Sequence, residues 1–495
     1  MVEFFSATFS QINGSAIPNQ SPCLGWQKSD LITWMEEETG DLGTTALQFF
    51  SQLTQPKIPP TLLLAERDTV RFLAGFIAAV AADCPLFLGN PHWVDREWQS
   101  ALKLIQPDRI WHQGQDFPGN TCQTPRNTLP SGIMISTGGS SGQLRFAIHT
   151  WETLMASVAG FTKYFQLPAV NSCCVLPLFH VSGLMQFLRS FTTGGRFVNV
   201  GSYKTIVEQT STHINPEEFF ISLVPTQLNR LLETPESADY LAQFQTVLLG
   251  GAPAWPELLE QARKSQISLS PTYGMTETAS QIVTLKPEEF LAGNQSCGRL
   301  LPHAQITITN PEGEGLAVGK TGMITIQADS LAKGYYPGEN LASFSSDLNS
   351  FQSDDLGFID EAGYLTVVGR HSDKIISGGE NIYPAEVEAA ILGTGWVEDV
   401  CAIAVPDPDW GQVVTAVYVA KGGVDAEAIA SLLTDTLSPF KRPKYWVQID
   451  RLPRNNRGKI SRHLLQEMVL IQLKPQLTPE QETHFTLNMR VSQGD

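Results

Sequence analysis

The sequence predicts an α/β fold: a large N-terminal domain built on parallel, doubly wound sheets with a small antiparallel β region, then a small α+β C-terminal domain. Three observations carry this. Short apolar runs alternate with longer helical ones up to about residue 300, short strands with glycine-rich turns follow, and beyond Arg370 a compact mixture of strands and helices runs to about residue 470.

Taken in order, "TLLLA", "DTVRFLAGFIAAVAADC" and "PLFLG" read as strand, helix, strand, the unit of a parallel sheet. "SGIMI" and "RFAIHT" are strands on either side of a glycine and serine loop. "CCVLPLF", "RFVNVG", "FFISLV" followed by the helical "PTQLNRLLE", and "FQTVLLGG" followed by "PELLEQARKS" repeat the alternation. In open parallel sheets ligands bind beyond the carboxyl ends of the strands, so the loops there converge on one crevice. "AQITITN", "GMITIQA" and "YLTVVGR" form the antiparallel region.

Composition limits the function. The 495 residues are enough for two or more domains, and 42% hydrophobic residues supply large cores. Fifty acidic against 33 basic residues give a net charge of −17, which disfavours nucleic acid and anionic lipid. Seven cysteines are scattered without a C-x-x-C pair and fit a reducing cytoplasm. The longest apolar run, from Phe72, stops at Asp83 and is too short to span a bilayer, and no secretory signal is evident.

The stretch "STGGSSGQLR" places Thr137, Gly138, Gly139, Ser140, Ser141, Gly142 and Arg145 between two strands. Glycines let the backbone approach an anion and hydroxyls wrap phosphate oxygens, so a phosphate loop is expected. A flexible linker is the alternative. A Walker-type loop fails because no Gly-Lys-Ser/Thr follows.

Read together, "TGGSSGQLR", "LPLFHVSG", "VLLGGAP", "YGMTETAS", "SDDLGFID", "VGRHSDKIISGGENIYPAEVE" and "RNNRGKISR" resemble the acyl-adenylate-forming ligases, over roughly residues 60 to 470 and in that family's order. The resemblance implies an enzyme that uses ATP, Mg²⁺ and CoA. A carboxylate attacks the α-phosphate of ATP, pyrophosphate leaves, and a thiol opens the acyl-AMP. Preorganised charge is the main catalytic need, because two anions must meet.

By the same resemblance Lys459 bridges the acid and the α-phosphate, Glu277 holds Mg²⁺ and Thr276 contacts the α-phosphate. Thr272, Tyr273 and Gly274, with Gly250, Gly251 and Ala252, receive the adenine, while Asp355 and Arg370 fix the ribose. Residues 1–369 would form the adenylating domain and 374–475 a mobile lid, with a hinge at 370–373 containing His371, Ser372 and Asp373, and a tail at 476–495. Ser377, Gly378 and Gly379 would then enter the site when the thiol attacks.

Arg189 lies in an apolar helical stretch just after His180, and a buried guanidinium needs an anionic partner. An internally paired arginine is the plain alternative; a second substrate carboxylate is the functional one. "LPLFHVSG", "SLVPTQLNRLL" and "VLLGGA" most resemble the 2-succinylbenzoate CoA ligases of menaquinone and phylloquinone synthesis. That likeness implies that His180, Arg189, Ser222 and Gln281 contact the acid. There are departures from the family pattern. Gly138, Leu144, Arg145 and Phe146 replace a hydroxyl, Pro, Lys and Gly, Asp354 stands beside Asp355, and Gln281 replaces a hydroxyl. A ligase for another aryl or fatty acid, a stand-alone adenylation enzyme loading a carrier protein, and an inactive nucleotide-binding regulator remain open. The regulator would be expected to lack Lys459 or Glu277, and both are present.

Overall fold

A computed structural model describes residues 30–31, 40–119, 132–137, 144–207, 214–338, 344–345, 350–377, 380–407, 410–454, 460 and 462–473. Gly138, Gly139, Ser140, Ser141, Gly142, Gly378, Gly379 and Lys459 lie outside the described residues, as does the 476–495 tail. The chain divides into two compact units. One comprises residues 1–252, 261–306 and 325–352; the other comprises 253–260, 307–324 and 353–495.

In the first unit, strands β1 (Leu62–Ala65), β2 (Leu86–Leu88), β3 (Arg109–His112) and β5 (Ile133–Thr137) run parallel in the order β5-β2-β1-β3. Antiparallel strands extend both edges: β4 (Gln115–Pro118) on β3, and β6 (Arg145–His149) followed by β16 (Tyr335–Tyr336) on β5. A second sheet has the order β13-β12-β11-β10-β9-β7-β8. Its strands are β7 (Ser172–Cys174), β8 (Phe197–Asn199), β9 (Phe220–Leu223), β10 (Thr246–Leu249), β11 (Leu269–Met275), β12 (Ser280–Thr284) and β13 (Arg299–Leu300). From β8 to β11 it is parallel, and β12 and β13 turn antiparallel.

The helix Thr69–Ala81 shows why the alternation reads true. Asp68 caps it by accepting from the Arg71 amide at 2.8 Å, and all residues from Phe72 to Val80 are buried, as a crossover helix covered on several sides requires. "CCVLPLF" gives a strand of only three residues. Pro177 lacks the amide a ladder needs, and its carbonyl instead accepts from the His180 amide to close a turn. That turn starts the helix Val181–Thr193, with His180 at its N-cap.

Past residue 303 a smaller sheet contains β14 (Ala304–Thr309), β15 (Gly322–Ala328), β17 (Phe344–Ser345), β18 (Ser350–Ile359) and β19 (Leu365–Arg370), antiparallel where β17, β18 and β19 meet. The last sheet, in the second unit, has the order β21-β20-β23-β22, with β24 on β23. Its strands are β20 (Ile375–Ser377), β21 (Glu380–Ile382), β22 (Val397–Asp407), β23 (Gly411–Ala420) and β24 (Tyr445–Gln448). It is buried on both faces by alternation. Val400, Ala402, Val414 and Ala416 join one core with the helix Pro384–Gly393, whereas Cys401, Ile403, Val405 and Val417 join another with Leu465 and Val469 of the helix Arg462–Leu473.

Candidate active site

The carboxyl ends of β9, β10 and β11 deliver Val224, Gly250 and Thr276 to one edge of the second sheet. A methyl group at Gly250 would lie 2.5 Å from Thr272 Oγ1, so only glycine keeps that edge flat beside β11. Thr272 Oγ1 itself donates to the Leu249 carbonyl at 3.2 Å. Gly251 has a φ of 82°, the left-handed turn that follows the strand, and Ala252 continues it. Tyr273 is largely buried, and Gly274 opposes Gln281 in the β11–β12 ladder.

Thr276 and Glu277 occupy a single tight turn after β11, and three groups distant in sequence pin it. His149 Nε2 bonds the Thr276 carbonyl at 2.7 Å and its Nδ1 meets Thr153 Oγ1 at 3.0 Å. A carbonyl accepts, so the proton of the neutral ring sits on Nε2. Complete burial lowers this histidine's pKa to about 4, which keeps it so at physiological pH. The Tyr335 hydroxyl donates to Glu277 Oε1 at 2.8 Å, and the Ala332 amide donates to the Glu277 carbonyl at 2.8 Å. Burial and the Glu277 carboxylate push the Tyr335 phenol's pKa up, so it stays a donor. The Arg145 guanidinium lies 5.0 Å from the centre of the Tyr335 ring, and Arg145 pairs in register with Thr137 at the ends of β5 and β6.

Arg189 projects from the helix Val181–Thr193 with 2% of its surface exposed. Its Nη2 donates to Ser280 Oγ at 3.0 Å and Gln281 Oε1 at 3.1 Å, and its guanidinium carbon lies 4.2 Å from the centre of the Phe161 ring. Its Nε is buried without a hydrogen-bond partner among the described residues. Burial alone lowers its pKa to about 9, so it is cationic at neutral pH, and no carboxylate ion-pairs with it among the described residues. The Gln281 amide is turned toward Thr284 Oγ1, 3.3 Å away, so its oxygen faces the arginine. Ser280 adopts a φ of 94°, a strained conformation for a non-glycine residue, at the point where its hydroxyl receives Arg189. Ser222 lies on β9 opposite Leu248, and the His180 ring packs at 4.5 Å between centroids on Phe179. Of the four expected acid-binding residues, a hydrogen bond joins Arg189 and Gln281.

In the second unit Asp355 and Arg370 are register partners on β18 and β19, with Arg370 Nε 3.2 Å from Asp355 Oδ1. Asp354 receives both the amide and the hydroxyl of Ser372, while its carbonyl receives the His371 amide at 2.8 Å, so the added aspartate caps the segment at 371–372. Asp373 pairs with Arg462 at 3.3 Å, and Arg462 also bonds Glu388 at 2.6 Å. Ser377 is buried and pairs with Glu380 and Gly411.

Residues 123–336 match the AMP-binding enzyme family, and residues 386–459 match the AMP-binding enzyme C-terminal domain. The 2-succinylbenzoate–CoA ligase of Bacillus velezensis is 38% identical over 77% of this chain and 78% of that protein. That of Listeria innocua is 34% identical over 89% of this chain and 87% of its own. The chain belongs to the 2-succinylbenzoate–CoA ligase family of AMP-binding enzymes. The o-succinylbenzoate CoA synthetase of Bacillus subtilis, solved with its acyl-adenylate intermediate, has a TM-score of 0.69 and 26% identity, covering 88% of this chain and 92% of that one. The same synthetase has also been solved with ATP and a magnesium ion.

Within this family member the described residues fit magnesium through Glu277. Its Oε1 is fixed by Tyr335, leaving a hard oxygen donor aimed by that bond. Among the described residues no group of three or more His, Cys, Asp or Glu side chains could hold a metal ion. Sequence reading missed His149, Tyr335 and Ser280. The signals were a histidine in the apolar strand "RFAIHT" and paired tyrosines in "KGYYPG", but neither spacing says what it touches.

Proposed function

We propose that this ligase activates 2-succinylbenzoate with ATP as an acyl-adenylate and then transfers the acyl group to CoA. In the first half-reaction the succinyl carboxylate oxygen bonds to the α-phosphorus and the bond to pyrophosphate breaks, with pyrophosphate taking the electron pair. In the second the CoA sulfur bonds to the acyl carbon, losing its proton, and AMP leaves. Bound magnesium would supply positive charge to the triphosphate, with Glu277 as its protein ligand. This chain's own residues do the rest. Glu277 is oriented by Tyr335, Thr276 is held by His149, and Arg145 brings a cation to the phosphate loop.

Arg189 carries the choice of acid. A fully buried guanidinium without a carboxylate partner is costly, and the second, unactivated carboxylate of 2-succinylbenzoate supplies the missing charge when it binds. Ser222 and His180 complete the acid site in this reading, Asp355 and Arg370 the ribose site, and Thr272, Tyr273, Gly274, Gly250, Gly251 and Ala252 the adenine site. The same proposal assigns residues 370–373 to a hinge between an adenylating domain and a lid at 374–475, with Lys459 serving adenylation and Ser377, Gly378 and Gly379 serving thiolation. A cytoplasmic setting belongs with it, supported by the five cysteines among the described residues, all of them free.

The test is direct: purified protein is incubated with ATP, Mg²⁺, CoA and a panel of aryl and fatty acids, and the thioesters are identified by mass. 2-Succinylbenzoyl-CoA as the dominant product supports the reading. A monocarboxylic fatty or aryl acid used in preference overturns it.

A further inference from the structure

His303 lies between β13 and β14, and its side chain does something no assigned role explains. The residue is only partly exposed, both ring nitrogens are buried, and neither has a hydrogen-bond partner among the described residues. Two unpartnered polar atoms in one buried ring are an unusual cost in a folded chain. The ring is seated deliberately. It fills the space over Gly160 in the helix Trp151–Phe165, where a methyl group would overlap Nδ1. Glycine inside a helix is less favourable than alanine, so the sequence gives up helix stability to admit this imidazole. The next residue, Phe161, carries the Arg189 guanidinium on its ring face.

The neighbourhood is therefore a cluster: Arg189 with a buried, unpartnered Nε, and His303 with two. Arg189 and Asp329 are the charged groups that His303 senses, the arginine opposing and the aspartate favouring its protonation. Asp329 also donates its backbone amide to the His303 carbonyl at 3.1 Å, which fixes the loop carrying the ring. Burial lowers the His303 pKa to about 4, leaving a neutral imidazole with one donor and one acceptor at physiological pH. The Gln281 oxygen serves Arg189, and one of its two amide hydrogens is turned to Thr284.

We propose that His303 is a specificity-determining residue of the acid pocket, donating its ring N–H to the same aromatic carboxylate that pairs with Arg189. The inference rests on the 2-succinylbenzoate reading given above. Together the two side chains offer a charged fork and a neutral donor, which distinguishes a ring bearing a carboxylate from a bare one by hydrogen bonds as well as by charge.

The experiment measures kcat/KM for 2-succinylbenzoate and for 4-oxo-4-phenylbutanoate, which lacks the ring carboxylate, in the wild type and in His303→Leu, His303→Gln, Gly160→Ala and Arg189→Ala. Loss of a donor to a charged group predicts that His303→Leu lowers the preference for the dicarboxylate by roughly ten- to a hundredfold, chiefly through KM. His303→Gln, which keeps an N–H donor, recovers part of the preference. Gly160→Ala, which evicts the ring without altering it, moves the ratio in the same direction as His303→Leu. Equal losses on both acids in the His303 variants, or an unchanged ratio, overturn the proposal. If Arg189→Ala abolishes the preference while the His303 and Gly160 variants keep it, the inference fails alone and the substrate reading stands. A wild type without preference for the dicarboxylate overturns both.

Discussion

Arg189 combines three properties rarely found together: deep burial, a stacked aromatic ring, and a charge met, among the described residues, by neutral oxygens from Ser280 and Gln281. Such a group favours an anion that arrives with the substrate. Arg189→Ala is expected to shift discrimination between 2-succinylbenzoate and its descarboxy analogue by roughly thirty- to a thousandfold in kcat/KM, with little change in the KM for ATP. Arg189→Lys recovers only part, because a point charge lacks the planar fork. Equal losses on both acids would make it a structural arginine. Tyr335 poses a different question, since its hydroxyl acts on Glu277 rather than on a reactant. Tyr335→Phe leaves that carboxylate unaimed, so the Mg²⁺ concentration for half-maximal rate is expected to rise by about tenfold, with the KM for the acid unmoved. Initial rates across a magnesium titration check this, and an unchanged magnesium dependence refutes it.

Strands, helices and turns explain which parts of the site could be read in advance. β1, β2, the helix Thr69–Ala81 and the loops after β9, β10 and β11 were legible because periodicity and glycine placement are local properties. The contacts that join these elements were not. His149 reaches Thr276 across 127 residues, Arg189 reaches Gln281 across 92, and Tyr335 reaches Glu277 across 58. Arg189 itself stood out because a charge in an apolar helix is anomalous locally, whereas His303 betrays itself only through the space above Gly160. The His149 link ties β6 of one sheet to the turn after β11 of the other, and it has a measurable signature. This ring is neutral when folded, with a pKa near 4, and has an ordinary pKa of 6.5 when unfolded. Between those values the unfolded chain binds the extra proton, so stability is full above about pH 6.5 and falls as the pH drops toward 4. The loss amounts to about 3 kcal/mol over that window. Urea midpoints at several pH values should show this slope in the wild type and a shallower one in His149→Gln. Parallel slopes in the two proteins would mean that another group is responsible.

At the scale of the whole chain, two reactions of opposite demand share one set of ATP loops. Adenylation needs a cation between the carboxylate and the α-phosphate, while thiolation needs the same space for a neutral pantetheine arm. A lysine fixed there permanently would obstruct the second step, so the proposed arrangement has Lys459 and the Ser377–Gly378–Gly379 segment serve in turn. The chain's charge of −17 sharpens the need, because anionic reactants meet favourable potential only where individual cations are brought to them. Separate assays of the half-reactions test this arrangement. Lys459→Ala is expected to slow acyl-AMP formation by on the order of a hundredfold, corresponding to about 3 kcal/mol of lost transition-state stabilisation, while transfer from preformed acyl-AMP to CoA is nearly retained. Gly379→Leu is expected to do the reverse: pyrophosphate is released in a first turnover, acyl-AMP accumulates on the enzyme, and thioester formation lags, because a branched side chain obstructs the pantetheine path. Quenched-flow measurement of pyrophosphate and thioester in the same samples resolves the two steps. If either variant slows both half-reactions by the same factor, a single fixed arrangement serves both chemistries and alternation about residues 370–373 is wrong.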